Sequence, residues 1–217
     1  FPLRLRPHHG IPLRMRKIAL ALLLFLSPAL ALAADTRARD IARVEAYLSS
    51  LTTLQAEFTQ IAPDGSVTGG KFYLKRPGRM RWEYAPPSKV LLISSGEDIV
   101  YYDGELEQVN YLSVDDTLAA FLTQPNIKLE SAATRLINFE SKDGVIRVGI
   151  VQKSREKEGM LTLEFTASPL KLRQLKMLDA AGNVTSIALQ NAQTGRALSD
   201  ALFVFRDPRG VIPRRAR

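Results

Sequence analysis

FYLKRPGRMRWEYAPPSKVLLISSGEDIVYYDGELEQVNY, residues Phe72 to Tyr111, decides the fold. It reads as four short, turn-linked strands: Arg76-Pro77-Gly78 is a break or bulge inside the first stretch, Phe72 to Tyr84, which Pro86-Pro87 ends, and Ser95-Gly96-Glu97-Asp98 and Asp103-Gly104 are the later turns. Successive strand side chains point to opposite sides, so Phe72, Leu74 and Arg76 share a face, and so do Met80, Trp82 and Tyr84. That face is greasy and needs a partner layer. Arg76 stands in line with it, and a guanidinium there is costly unless its five donors find acceptors, which points to a latch or a ligand contact.

Upstream, Ile41, Val44, Leu48 and Leu51 recur at helical spacing, which predicts an opening helix over about Arg37 to Leu51. Leu54 to Gln60 then alternates as a strand does, Asp64-Gly65 marks a turn, and Gly69-Gly70 opens the next strand. Downstream, Asp115-Asp116-Thr117 caps a short apolar helix, Leu118 to Leu122, that stops before Pro125. Strands resume at Val145 to Val151, Met160 to Thr166, Leu170 to Leu178, Val184 to Gln190 and Leu202 to Phe205. Some ten strands with two helices imply one antiparallel, strongly curved sheet, whose concave apolar face must be covered; the helices are the natural cover.

The N-terminus bears on the compartment. Met15-Arg16-Lys17, the apolar run Ile18 to Leu32 and the small-residue end Ala31-Leu32-Ala33 match the zones of a secretory signal, cleaved after Ala33. Residues 1–33 are therefore expected to be an upstream extension plus signal peptide starting at Met15, and 34–217 a single domain. Five of the 30 Lys and Arg leave with the signal and none of the 22 Asp and Glu do, so the formal charge falls from +8 to 25 − 22, or +3. Net charge then gives no case for nucleic-acid binding.

There is no cysteine, and the only histidines, His8 and His9, precede the signal. A mature chain without imidazole or thiol excludes Ser-His-Asp and Cys-His catalysis, ordinary zinc sites and disulfides. The acidic residues Asp103, Glu105, Glu107, Asp115 and Asp116 read as turn, strand-surface and capping groups rather than a catalytic carboxylate pair. No catalytic activity, metal or cofactor is expected.

LKRPGRMRWEY (Leu74 to Tyr84), LLIS (Leu91 to Ser94), IVYYD (Ile99 to Asp103) and ELEQV (Glu105 to Val109) resemble the periplasmic outer-membrane lipoprotein carrier family, LolA. LxAxFxQ (Leu54 to Gln60), Phe203-x-Phe205 and Pro208-x-Gly210-Val211 support the likeness. The resemblance implies an incomplete β-barrel with a helical lid over an apolar cavity. It implies a soluble, monomeric periplasmic carrier of a Gram-negative bacterium, which takes acylated lipoproteins from an inner-membrane ABC transporter to an outer-membrane lipoprotein acceptor.

By the same likeness Arg76 is the lid latch, bonding carbonyls of the covering helices; the alternative is a turn cap before Pro77. Phe58, Phe72, Leu74, Met80, Trp82, Tyr84, Leu91, Ile93 and Phe165 are the expected cavity residues, and Leu118, Phe121 and Leu122 the lid helix. Two of these assignments are open. Val90 to Ile93 is apolar at every position, so parity gives no face, and Trp82 fits a packed core as well as a cavity wall. The basic end Pro213 to Arg217 reads as a solvated tail or as a contact for an anionic surface. Competing functions are a carrier of another lipid or glycolipid and an envelope-stress sensing or regulatory lipid-binding module.

Overall fold

The computed structural model describes residues 27–96, 98–113 and 118–210, with side chains given from residue 36 onward and, in the second break, from residue 121. Most of the expected signal, the Asp115-Asp116-Thr117 cap and the Pro213 to Arg217 tail lie outside these residues. The chain divides into two compact units, residues 1–39 and 40–217. In the first, the described residues are helical. The helix, α1, runs Ser27–Ser50, and everything below concerns its part from Asp40 on and the rest of the second unit.

Among the described residues eleven strands follow: β1 Thr53–Ile61, β2 Val67–Lys75, β3 Arg79–Tyr84, β4 Val90–Ser95, β5 Asp98–Asp103, β6 Gln108–Ser113, β7 Thr134–Lys142, β8 Val145–Gln152, β9 Gly159–Ala167, β10 Leu170–Asp179 and β11 Val184–Thr194. They form one sheet in the order β6-β5-β4-β3-β2-β1-β11-β10-β9-β8-β7, antiparallel throughout. β6 and β7 are not paired to each other, so the sheet curls without closing. The fold is the mainly β, curved antiparallel sheet that the strand pattern predicts, and the incomplete barrel that the resemblance implies.

Alternation sets the inner face. Leu54, Ala56 and Phe58 of β1, Phe72 and Leu74 of β2, and Leu161, Leu163 and Phe165 of β9 are all buried in one core with Val44 and Leu48 of α1. The helical spacing of Val44, Leu48 and Leu51 is what turns these side chains onto the sheet. Tyr47 fixes the docking angle: its hydroxyl accepts from the Leu172 backbone N–H at 3.1 Å, and its ring meets Phe165 edge-on at 5.9 Å. Each fully buried Leu, Ile or Phe contributes roughly 1.5–3 kcal/mol.

The short apolar helix expected at Leu118 to Leu122 is a 3-10 helix, Leu118–Thr123. Two elements differ from the sequence reading. β7 has no clean alternation because Ile137 is extra in the register between Leu136↔Ile150 and Asn138↔Gly149; the bulge puts apolar residues at 136, 137 and 139 and hides the strand. The expected strand Leu202 to Phe205 is instead a 3-10 turn, Asp200–Phe203, leading into extended chain. Ser199 caps that turn by accepting from Ala201 N–H, and Asp200 takes Lys75 Nζ at 2.5 Å and Arg79 Nη1. The turn packs on the outer side of β3 and β4, where Arg81 Nη1 donates to Leu202 O at 3.2 Å.

Candidate functional site

Between the sheet's inner face and the Leu118–Thr123 helix lies a cavity of about 430 Å³. Phe72, Met80 and Trp82 from β2 and β3, Leu92 and Ile99 from β4 and β5, and Leu161, Leu175 and Ile187 from the other half of the sheet line it, with Leu122 from the 3-10 helix. The polar residues are gathered elsewhere on its wall: Gln60 and Tyr84, then Gln152, Arg155, Glu158, Asp179, Asn183 and Thr185. The last six belong to the strand ends and turns at β8–β9 and β10–β11, so the apolar wall has a polar rim.

Aromatic packing shapes one side. Phe72 and Trp82 are cross-strand partners and stack with centroids 4.1 Å apart. Phe58 meets Trp82 edge-on at 5.1 Å and Tyr84 at 5.0 Å. Gly70 sits between Phe58 and Tyr84 in the strand register, and the missing side chain is what lets the two rings close over it.

Arg76 ties this wall to both covering elements. Its Nε donates to Leu122 O at 2.7 Å and its Nη1 to Leu48 O, so one guanidinium bridges the end of α1 and the 3-10 helix. Gly78, at φ +77, adds a backbone donor to Thr123 O at 2.9 Å. Burial lowers the Arg76 pKa to about 10, which leaves it charged at neutral pH. Its Nη2 is buried with no partner among the described residues, so the closed arrangement is only partly satisfied.

The covering segment is also fastened to α1 by Glu45 and Ser49. Glu45 accepts from Lys128 Nζ at 2.6 Å and Leu129 N–H at 3.0 Å, and Ser49 Oγ accepts from Ile127 N–H at 3.2 Å.

Phe72, Met80, Trp82 and Tyr84 thus reach the cavity, whereas Phe58, Leu74 and Phe165 share the inner face but sit in the packed core. Phe121 is buried in that core, Leu122 lines the cavity, and Leu118 starts the 3-10 helix with its side chain outside the described residues. Leu91 and Ile93 do not belong to the cavity wall. β3 pairs Trp82 with Leu92, and Leu91 and Ile93 with Glu83 and Arg81, so those two turn to the opposite face and Leu92 takes the inner position. Strand register could have found Leu92; the uniformly apolar run concealed it. Gln60, within LxAxFxQ, was legible by its parity with Phe58. Asp103 serves its turn, accepting from Glu105 and Leu106 N–H at 2.9 and 3.1 Å.

The family model described as "Outer membrane lipoprotein carrier protein LolA" matches residues 49–206. The chain belongs to the LolA family. An outer-membrane lipoprotein carrier protein of Methylococcus capsulatus is 34% identical over 177 residues, covering 78% of this chain and 84% of that one. One of Pseudomonas aeruginosa is 33% identical over 197 residues, covering 87% and 92%. A crystal structure of an uncharacterized conserved protein from Thermus thermophilus aligns with a TM-score of 0.49 at 14% identity, covering 82% of this chain and 99% of that one. The LolA match takes in every strand named above, Arg76 with its Leu122 partner, and the whole cavity lining; Leu48, the other Arg76 partner, lies one residue before it.

Proposed function

We propose that the protein is a soluble periplasmic carrier that shields the acyl chains of lipoproteins in its cavity. In this reading it receives them from an inner-membrane ABC transporter and passes them to an outer-membrane lipoprotein acceptor. Export requires cleavage after Ala33, with Met15 as the start of the signal. The observation that carries the reading is an apolar cavity whose two covering elements are bridged by one half-buried arginine, in a chain whose relatives are named outer-membrane lipoprotein carrier proteins.

The energetics support a carrier that opens on loading. A hydrogen bond to a charged group contributes about 1.5–3 kcal/mol, so the two Arg76 bonds hold the cover with about 3–6 kcal/mol. Each acyl methylene buried contributes about 0.8 kcal/mol. Four to eight methylenes therefore offset the latch, about half of one ordinary fatty chain or less. Loading opens the cover, and emptying restores the Arg76 bonds, which favours release to the acceptor.

Trp82 is the only tryptophan, stacked on Phe72 at the cavity wall, and it reports directly on occupancy. Titration with a triacylated lipopeptide is expected to shift its emission saturably, and mass spectrometry of protein isolated from periplasm to find acylated lipoprotein. An unchanged spectrum at saturating lipopeptide, with no acylated species co-purifying, would overturn the carrier reading.

A further inference from the structure

One polar pair interrupts the apolar wall. The Tyr84 hydroxyl donates to Gln60 Oε1 at 2.8 Å, both side chains are half-buried, and both line the cavity. Gln60 is the penultimate residue of β1 and Tyr84 the last of β3, so the pair stands toward the polar rim. Met80 and Leu122 line the far end, beside Arg76. Tyr84 is held by the Phe58 ring on one side, and burial pushes its phenol pKa up, which keeps it a neutral donor. With Oε1 engaged, the two amide hydrogens on Gln60 Nε2 have no partner among the described residues.

Gln60 Nε2 is not among the buried side-chain atoms that lack a partner, so its donors are open to the empty cavity and lose water only when a chain fills it, which carries a cost unless they are then used. An acyl chain brings the matching need. Its hydrocarbon is content in a dry cavity, but the ester or amide carbonyl at its head loses water on entry and requires a donor. We propose that Gln60, oriented by Tyr84, is the subsite for the carbonyl oxygens of ester- or amide-linked acyl chains. The chains run past Trp82 toward Met80, and the Gln60 N–H groups set the depth at which the head group stops. This deepens the carrier reading above and rests on it. It makes the cavity selective for acyl chains over alkyl chains of equal length.

Two synthetic cysteinyl peptides test it, one carrying an S-diacyloxypropyl group and the other its dialkyl-ether counterpart of the same chain length. Wild-type protein is expected to bind the ester form about tenfold more tightly, the effect of about one neutral hydrogen bond, measured by Trp82 emission. Gln60→Leu is expected to abolish that preference by weakening ester binding alone. Gln60→Glu keeps the acceptor for Tyr84 and, at about pH 8 with its carboxyl ionised, removes the N–H donors; it is expected to lose the preference as well, with a melting temperature lowered by the charge in the wall.

Equal binding of the two peptides by the wild type, or an undiminished ester preference in Gln60→Glu, overturns the subsite while leaving the carrier reading standing. Failure of the wild type to bind either peptide overturns both.

Discussion

Arg76 Nε lies 2.7 Å from the carbonyl oxygen of Leu122, and the same guanidinium reaches Leu48 O through Nη1. One side chain therefore couples the sheet to both the helix and the insert that cover the cavity. Replacing it with leucine removes about 3–6 kcal/mol of preference for the closed, empty state and leaves the apolar wall intact. Arg76→Leu is expected to bind lipopeptide at least as well as wild type and to transfer it poorly to an acceptor, read as the fraction released in a two-protein transfer assay. Wild-type transfer by this variant removes the latch from the account.

The β3–β4 register gives a paired prediction. Leu92 lines the cavity, while Ile93 is 2% exposed on the outer side and lies outside the main core cluster. Ile93→Ala is expected to cost about 2–5 kcal/mol of stability with lipopeptide affinity unchanged. Leu92→Ala, at a half-buried position facing empty space, is expected to cost less stability and to weaken binding several-fold. Urea unfolding and Trp82 titration separate the two; the reverse pattern would mean that β4 is offset by one residue.

That pair also shows what the sequence made legible. Phe72, Met80, Trp82 and Tyr84 were readable as one face because polar residues alternate with them, and Arg76 because a charge in an apolar row is anomalous. Val90 to Ile93 offered no such contrast, so only pairing with Trp82 assigns it. β7 was masked by the bulge at Ile137, which breaks the two-residue period. The Leu202 to Phe205 segment has strand composition, yet Ser199 capping and the Lys75 and Arg79 grip on Asp200 wind its start into a turn. Long-range ion pairs of that kind leave no local signature.

The grip on Asp200 has a pH dependence. Its carboxyl pKa is lowered, first by the hydrogen bond from Lys75 and then by the charges of Lys75 and Arg79. A depressed folded pKa means that the stabilisation is fully present above the ordinary aspartate value near 4 and is lost as pH falls through the lower, folded value. At pH 7 the turn is held, and Asp200→Asn is expected to loosen it. Hydrogen exchange at Ala201 and Leu202, corrected for intrinsic rate, should rise in Asp200→Asn at pH 7, with little change in the strands. Equal protection in the two proteins would show that the ion pairs do not hold the segment.

Gly70 lies opposite Phe58 on β1 and Tyr84 on β3. A Cβ built there overlaps the Glu83 carbonyl oxygen and comes within 2.9 Å of Phe58 Cε1. The carbonyl belongs to β3 and cannot give way without moving the strand that carries Trp82 and Tyr84. The Phe58 ring is held edge-on by both of those residues, so it has no free direction either. Overpacking of this kind costs about 1–3 kcal/mol. At about 2–4 °C per kcal/mol for a domain of this size, Gly70→Ala is expected to lower the melting temperature by about 2–12 °C. Because the strain displaces the aromatic wall, Trp82 emission should shift in the empty protein too, which an exposed glycine such as Gly182, with nothing within 4 Å of its Cβ position, would not produce. A Gly70→Ala protein with wild-type melting and emission would mean that the β2–β3 approach is looser than the register requires.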